Sequence, residues 1–216
     1  MLEIASLNRR DLPGWYGKLP GMGDFAQRRL PEYFRDAWDS WLQAGLFALR
    51  QREADWVERY LGGPIWFFAL GPQLIGALPW LGVMMPSVDS AGRYFPLTLA
   101  LELSDAAGRP RACNLAWADA WWRASAQAAL QALESDFDAS RFEAALTLLF
   151  ASQDASPAGP AEPRLALPVA GQSSWSRDPG AAAPGSITVP GLPVQTSFDV
   201  LFGYGAASCA SVEVGK

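Results

Sequence analysis

The residues best placed to do chemistry lie in two short segments dense in glycine, proline and charge. The first runs from Gly14 to Leu30, GWYGKLPGMGDFAQRRL, and sets Lys18 and Asp24 on either side of a glycine-rich turn. A lysine and an aspartate so placed are expected to pair across the turn, with Phe25 anchored in the core. The second runs from Pro86 to Leu97, PSVDSAGRYFPL, with Asp89 and Arg93 flanking Ser90-Ala91-Gly92. An aspartate at such a turn accepts backbone amides, and a guanidinium four residues on can close onto the same carboxylate. Each segment has two readings. One is a turn whose geometry an internal ion pair fixes, worth about 0–1 kcal/mol where the pair is exposed. The other is a rigid polar surface presented to a partner, or to a small ligand held near Lys18, Asp24, Asp89 and Arg93. The second reading requires the two segments to sit together.

Other chemistry is constrained by what the chain lacks. It has no histidine, which removes Ser-His-Asp and Cys-His nucleophilic machinery and His-ligated zinc or haem. Cys113 and Cys209 form no CxxC pair and are too few for a cysteine-built zinc or iron–sulfur site. They read as small reduced hydrophobes. Gly21-Met22-Gly23-Asp24-Phe25-Ala26 matches the dinucleotide fingerprint, but that motif needs a strand before it and a helix opening on it. Pro20 and Pro31 oppose both, so a structural glycine turn is expected. Ser87 would be a nucleophile only if Lys18 happened to serve it as base. No catalytic residue, cofactor or metal is expected, and an enzyme using the carboxylates as acid and base is the least favoured reading. A net charge of -5 opposes nucleic-acid binding, which needs a basic face.

The elements that must position these residues follow from patterning. At 216 residues the chain is one large domain or two small ones and needs no disulfide to hold a core. Tyr60 to Val88 carries no charge, but Pro64, Pro72, Pro79 and Pro86 interrupt it too often for a membrane helix. Buried strands are expected there instead, at Ile65–Leu70 and Trp80–Met85. Tyr94–Leu103 is a third, and Trp15–Lys18 a short one before them. Uninterrupted apolar runs such as IWFFAL suggest strands covered on both faces. A helix from Pro31 carries Phe34, Trp38, Trp41, Leu42, Gly45 and Leu49 at helical spacing. A short helical turn is expected over Asp55–Leu61, and Asn114 can cap a long helix to about Ser135. On that helix Trp117, Trp121 and Trp122 make more than one face apolar, and an exposed indole there would mark an interaction site. Ser140-Arg-Phe-Glu143 reads as a capping box for a further helix. Residues 151–193 are rich in proline and glycine. Two loops, ASQDASPAGPAEP and DPGAAAPG, flank weak strands at Leu165–Val169 and Ser173–Ser176, and Thr196–Leu201 looks like a terminal helix. The order gives an α+β, mixed α/β fold with a central, mostly antiparallel sheet flanked by helices. No signal-peptide run follows the N-terminal charges, so a cytoplasmic protein is expected.

Three separated stretches, GWYGKLPGMGDFAQRRLP, WDSWLQAGL and GVMMPSVDSAGRYFPLTLA, resemble the TagF (ImpM) family of type VI secretion-associated proteins. The matching residues include Gly17, Lys18, Gly23, Asp24, Phe25, Arg29, Trp38, Asp39, Ser87, Asp89, Gly92 and Arg93. The late segment GQSSWS…GLPVQTSFDVLFG is similar to the family's C-terminal pattern, though less specific. The resemblance implies a single TagF-like domain over 1–216, with a main α/β body at 14–150 and a Pro/Gly-rich part at 151–216 packing on it. It also implies a longin-type sheet. In function it implies a cytoplasmic, non-enzymatic accessory protein that represses secretion post-translationally by protein–protein binding. Such proteins act beside a threonine kinase, a phosphatase and a forkhead-associated scaffold protein, the last being the partner implied here. Carried onto this chain, the partner-binding candidates are Lys18, Asp24, Arg29, Asp89 and Arg93.

Overall fold

The structure, a computed structural model, describes residues 11–151, 163–178 and 186–204. The chain opens with a hairpin, β1 (Gly14–Lys18) and β2 (Phe25–Arg28), followed by α1 (Glu32–Arg52) and the short α2 (Trp56–Leu61). A meander follows: β3 (Trp66–Leu70), β4 (Trp80–Met85) and β5 (Leu97–Glu102). Then come α3 (Leu115–Glu134), α4 (Ala139–Ala151), β6 (Gln172–Ser176), β7 (Ile187–Pro190) and α5 (Thr196–Val200). All seven strands join one sheet in the order β2-β1-β5-β4-β3-β6-β7, and every pairing is antiparallel.

The central strands β3 and β4 are apolar throughout because helices cover both faces. Side chains alternate across a strand. Trp66, Phe68 and Leu70 of β3 pack with α1, α2 and α5, whereas Phe67 and Ala69 pack with α3. Trp80 and Met84 of β4 follow the first set, and Leu81 and Val83 the second. On the first face α1 lays Phe34, Trp38, Leu42, Leu46 and Leu49 on the sheet. Trp38 is fully buried, stacks on Phe68 with ring centroids 4.8 Å apart, and donates its indole N–H to Thr98 Oγ1 at 2.9 Å. Gly82 makes that stack possible: a Cβ there would stand 2.0 Å from the Phe68 ring. On the other face α3 packs closely through Ala118, Ala126, Ala128 and Ala129, with Trp121 and Trp122 buried beside them. Trp117 is half-buried under the Arg111 guanidinium. Asn114 caps α3 as expected, accepting the Trp117 amide at 2.6 Å.

Four local expectations change. The start of α4 is capped by Asp138, whose Oδ1 accepts the amides of Ser140 and Arg141 at 2.9 and 2.8 Å. Ser140 is already inside the helix, which frees Glu143 for other partners. The strand expected from Tyr94 begins only at Leu97, because Pro96 has no N–H to give a ladder; Tyr94 makes an isolated bridge with Val88. Leu165–Val169, preceded by Pro163 and interrupted by Pro168, does not become a strand; an isolated bridge joins Arg164, just before it, to Asn114. Both outermost strands, β2 and β7, were unexpected; each buries few side chains and so carries little apolar signal. Most of the two Pro/Gly-rich loops, and Cys209, lie outside the described residues.

Candidate functional site

The two charged segments are brought together by the pairing of β1 with β5 and β2. Gly17 ends this stretch at φ 140, where a Cβ would meet the Pro96 carbonyl at 2.2 Å. Only glycine lets the chain pass there, and it sets the backbone of Lys18 against the 87–93 loop. Ser87 Oγ donates to the Lys18 carbonyl at 2.8 Å. The Ser90 amide donates to the Met22 carbonyl at 2.9 Å, and the Arg93 guanidinium reaches the Gly23 carbonyl. From below, the buried Tyr60 hydroxyl of α2 donates to the Ser87 carbonyl at 2.9 Å and accepts its amide at 3.0 Å.

Asp89 is the centre of this network. Its carboxylate is wholly enclosed. Oδ2 accepts Lys18 Nζ at 2.9 Å and Arg93 Nε at 2.8 Å. Oδ1 accepts the amides of Ala91 at 3.0 Å and Arg93 at 2.9 Å. Burial alone would raise its pKa, but the Arg93 amide, Lys18, the Arg93 side chain and the Ala91 amide outweigh it and hold the carboxyl well below the usual range. A carboxylate so saturated is a fixed anion, with no free lone pair aimed at a substrate.

Lys18 therefore pairs with Asp89, not with Asp24 as the sequence suggested. The hairpin register explains the difference. Lys18 stands opposite Phe25, so the Phe25 ring covers the ammonium, with its centroid 4.0 Å from Nζ. Asp24 lies past the strand end in solvent and caps the Phe25 amide at 2.8 Å. Phe25 is not a core anchor either; it is 41% exposed, stacked on Tyr16 and edge-on to Phe95. Arg29 is not part of the cluster. Held at φ 61, it clamps the Pro13 carbonyl and Glu143 of α4, which also accepts the Trp15 indole N–H. It pins the hairpin to α4. Ser87 is buried with its hydroxyl committed to backbone, which removes it as a nucleophile. The dinucleotide-like glycines lead into strand β2 and not into a helix, as the structural reading required.

A second copy of the turn, unremarked in the sequence reading, shows what is particular about the first. Asp105-Ala-Ala-Gly-Arg109 repeats Asp89-Ser-Ala-Gly-Arg93. Its Asp105 Oδ1 accepts the amides of Ala107 and Arg109 at 2.8 and 2.9 Å, and Oδ2 accepts Arg109 Nε at 2.8 Å. The pattern is the same, yet this copy stands in solvent, with the Arg109 side chain 76% exposed. The Asp–Arg turn is thus a local folding device. What distinguishes the 89–93 copy is its burial and the Lys18 ammonium inserted into it.

Beside this network runs an open groove of about 530 Å³. Phe25, Phe47, Trp56 and Tyr94 wall it, and Arg50 and Arg93 stand at its rim. Phe47 is 66% exposed. Arg50 lies over the Trp56 ring at 4.3 Å and has no carboxylate partner among the described residues. None of the groove's lining residues is acidic. Sequence reading missed Arg50, Phe47, Trp56 and Tyr60; Trp56 and Tyr60 carried a signal as aromatics on a very short helix, whereas Phe47 and Arg50 sat on the polar side of the α1 stripe. Among the described residues no group of three or more acidic or Cys side chains gathers to hold a metal, and no helix is long and apolar enough to cross a membrane.

Comparison with known proteins matches these features to a family. No curated protein matches the chain. Among solved structures it is similar to the crystal structure of PA0076 from Pseudomonas aeruginosa PAO1. That likeness has 30% sequence identity and a TM-score of 0.68, over 94% of this chain and 99% of that one. Residues 14–149, which hold both charged segments and the α1 stripe, match the model of the TagF N-terminal domain, type VI secretion system-associated. By that match over well more than half its length, the chain belongs to the TagF family of type VI secretion-associated proteins.

Proposed function

We propose that this protein represses type VI secretion post-translationally in the cytoplasm, by binding a component of the secretion apparatus, the forkhead-associated scaffold protein. Its mode of action in this reading is binding and not catalysis, and the whole of 1–216 serves as one TagF-like unit, with 151–216 packed on the 14–150 body. The observation that carries the reading is the Lys18–Asp89–Arg93 network. It fixes two loops into one surface, and it uses up the carboxylate that an enzyme would need as acid or base. Beside it the aromatic and cationic groove is open and lacks the converging carboxylates of a catalytic or small-ligand pocket. Exposed large aromatics beside arginine are the composition of protein-binding surfaces. Lys18 and Asp89 act here by holding shape, Asp24 and Arg93 by facing the partner, and Arg29 by pinning β2.

The test is secretion itself. Deleting the gene is expected to raise type VI secretion without changing transcript levels of the apparatus, and supplying the wild-type chain to restore repression. Secretion that is unchanged by deletion and by overproduction refutes the reading.

A further inference from the structure

We infer that the groove between α1, α2 and the 87–95 loop takes an acidic segment of the partner protein, with one apolar side chain of that segment seated against Phe47 and Trp56. The inference rests on the repressor reading above and names the chemistry its partner must offer. It begins from an imbalance of charge. The chain carries five more acidic than basic residues, yet the lining of this groove holds cations and no carboxylate. The three cations differ in availability. Lys18 is neutralised by Asp89 and enclosed under the Phe25 ring. Arg93 spends Nε on Asp89 and Nη2 on the Gly23 carbonyl, and keeps Nη1 on a side chain that is 55% exposed. Arg50 rests on the Trp56 ring, with a long 3.4 Å contact to the Tyr94 carbonyl. Two guanidiniums with donors to spare therefore face one groove, and guanidinium binds carboxylate in a directed, paired geometry.

The apolar part of the argument is Phe25 and Phe47, at 41% and 66% exposure. Both rings line the same groove, and partly exposed aromatics gathered in one contiguous patch mark a contact surface. Leu46 and Phe95, both buried, floor the space between them. A wholly acidic ligand would leave those rings uncovered, and a wholly apolar one would leave Arg50 and Arg93 without partners. A segment alternating carboxylates with one bulky apolar side chain satisfies both. A second copy of this chain is disfavoured as occupant, since it brings its own net charge of -5 without a described acidic stretch fitted to this groove.

The test uses the full chain labelled with nitrogen-15 and two short synthetic peptides. One places aspartates and glutamates around a single phenylalanine; the other replaces every acid by its amide. The acidic peptide is expected to shift the Trp56 indole resonance and the backbone amides of Phe47, Arg50 and Tyr94. The amide peptide should bind about tenfold or more weaker, as loss of the charged contacts requires. Arg50→Gln and Phe47→Ser should each weaken the acidic peptide by about tenfold while leaving the melting temperature unchanged. Equal binding of the two peptides, shifts confined to another face, or an Arg50→Gln protein that binds as the wild type overturns the inference. So do concentration-dependent shifts at these residues in the absence of peptide, which would mean that a second copy covers the groove. The two readings fail separately. If Arg50→Gln and Phe47→Ser repress secretion normally, the groove is not the site and the repressor reading stands. If deletion leaves secretion unchanged, the repressor reading fails whatever the peptides do.

Discussion

Replacing Lys18 by Met tests the buried network most sharply. Methionine keeps the length and packing of the lysine stem but removes the ammonium. Lys18 is 3% exposed, and its nitrogen lies 2.9 Å from Asp89 Oδ2 and 4.0 Å from the Phe25 ring centroid. Removing one partner of a buried ion pair costs about 3–5 kcal/mol, because the other charge is left without its counterion. Here the carboxylate keeps Arg93 and two amides, so the lower end applies, about 3 kcal/mol. In a chain of this size each kcal/mol moves the melting temperature by about 2–4 °C, so a fall of about 6–12 °C is expected by circular dichroism. The repeated turn supplies the control. Arg109→Gln removes the equivalent guanidinium from the solvent-exposed copy, where the Asp105 amide contacts remain. That variant should melt within about 2 °C of the wild type. Equal shifts in the two variants, or a Lys18→Met protein as stable as the wild type, would refute the claim that burial of the ion pair is what sets this loop apart.

Trp38→Ala should destabilise by about 3–5 kcal/mol in chemical denaturation, since it empties the centre of the α1–sheet layer and strands Thr98; a loss under about 1 kcal/mol would contradict the packing described. The pH dependence follows from Asp89, whose folded-state pKa is depressed. Its contribution is fully present above the ordinary carboxylate pKa of about 4 and is lost as pH falls through that value toward the folded one. Asp89→Asn should therefore melt lower at neutral pH and lose stability less steeply than the wild type on acidification; parallel curves would exclude the network as the source. Burial pushes the Cys113 thiol up to about 11, from 9.0. Its thiolate fraction at about pH 8 is then about a hundredfold below that of a free cysteine, and peptide mapping should show correspondingly slow alkylation.

The sequence disclosed the layers but not the edges. Strands β3, β4 and β5 were legible because burial on both faces demands unbroken apolar runs, and α1 because its apolar residues recur at helical spacing around Trp38. Strands β2 and β7 were not, since an edge strand with a single buried residue or two half-buried ones has no period to read. Within the site, Asp89–Arg93 was legible because the turn is local. The Lys18 partner was not, because choosing Asp89 over Asp24 depends on which residue stands across the β1–β2 hairpin and on the long-range pairing of β1 with β5, neither of which is local. Glu143 shows the same limit: its sequence context suggested a cap, while its true partners, Trp15 and Arg29, lie more than a hundred residues away. The groove was invisible for a related reason, since its walls come from α1, α2, β2 and the 93–95 loop, which only the fold assembles.

Direct binding to the forkhead-associated scaffold is the claim on which the functional account turns, and a calorimetric titration of the purified scaffold into the purified full chain measures it. Saturable heat with one scaffold per chain, weakened by Lys18→Met at a temperature where that variant remains folded, is the expected result. A flat titration with both proteins folded would contradict the account.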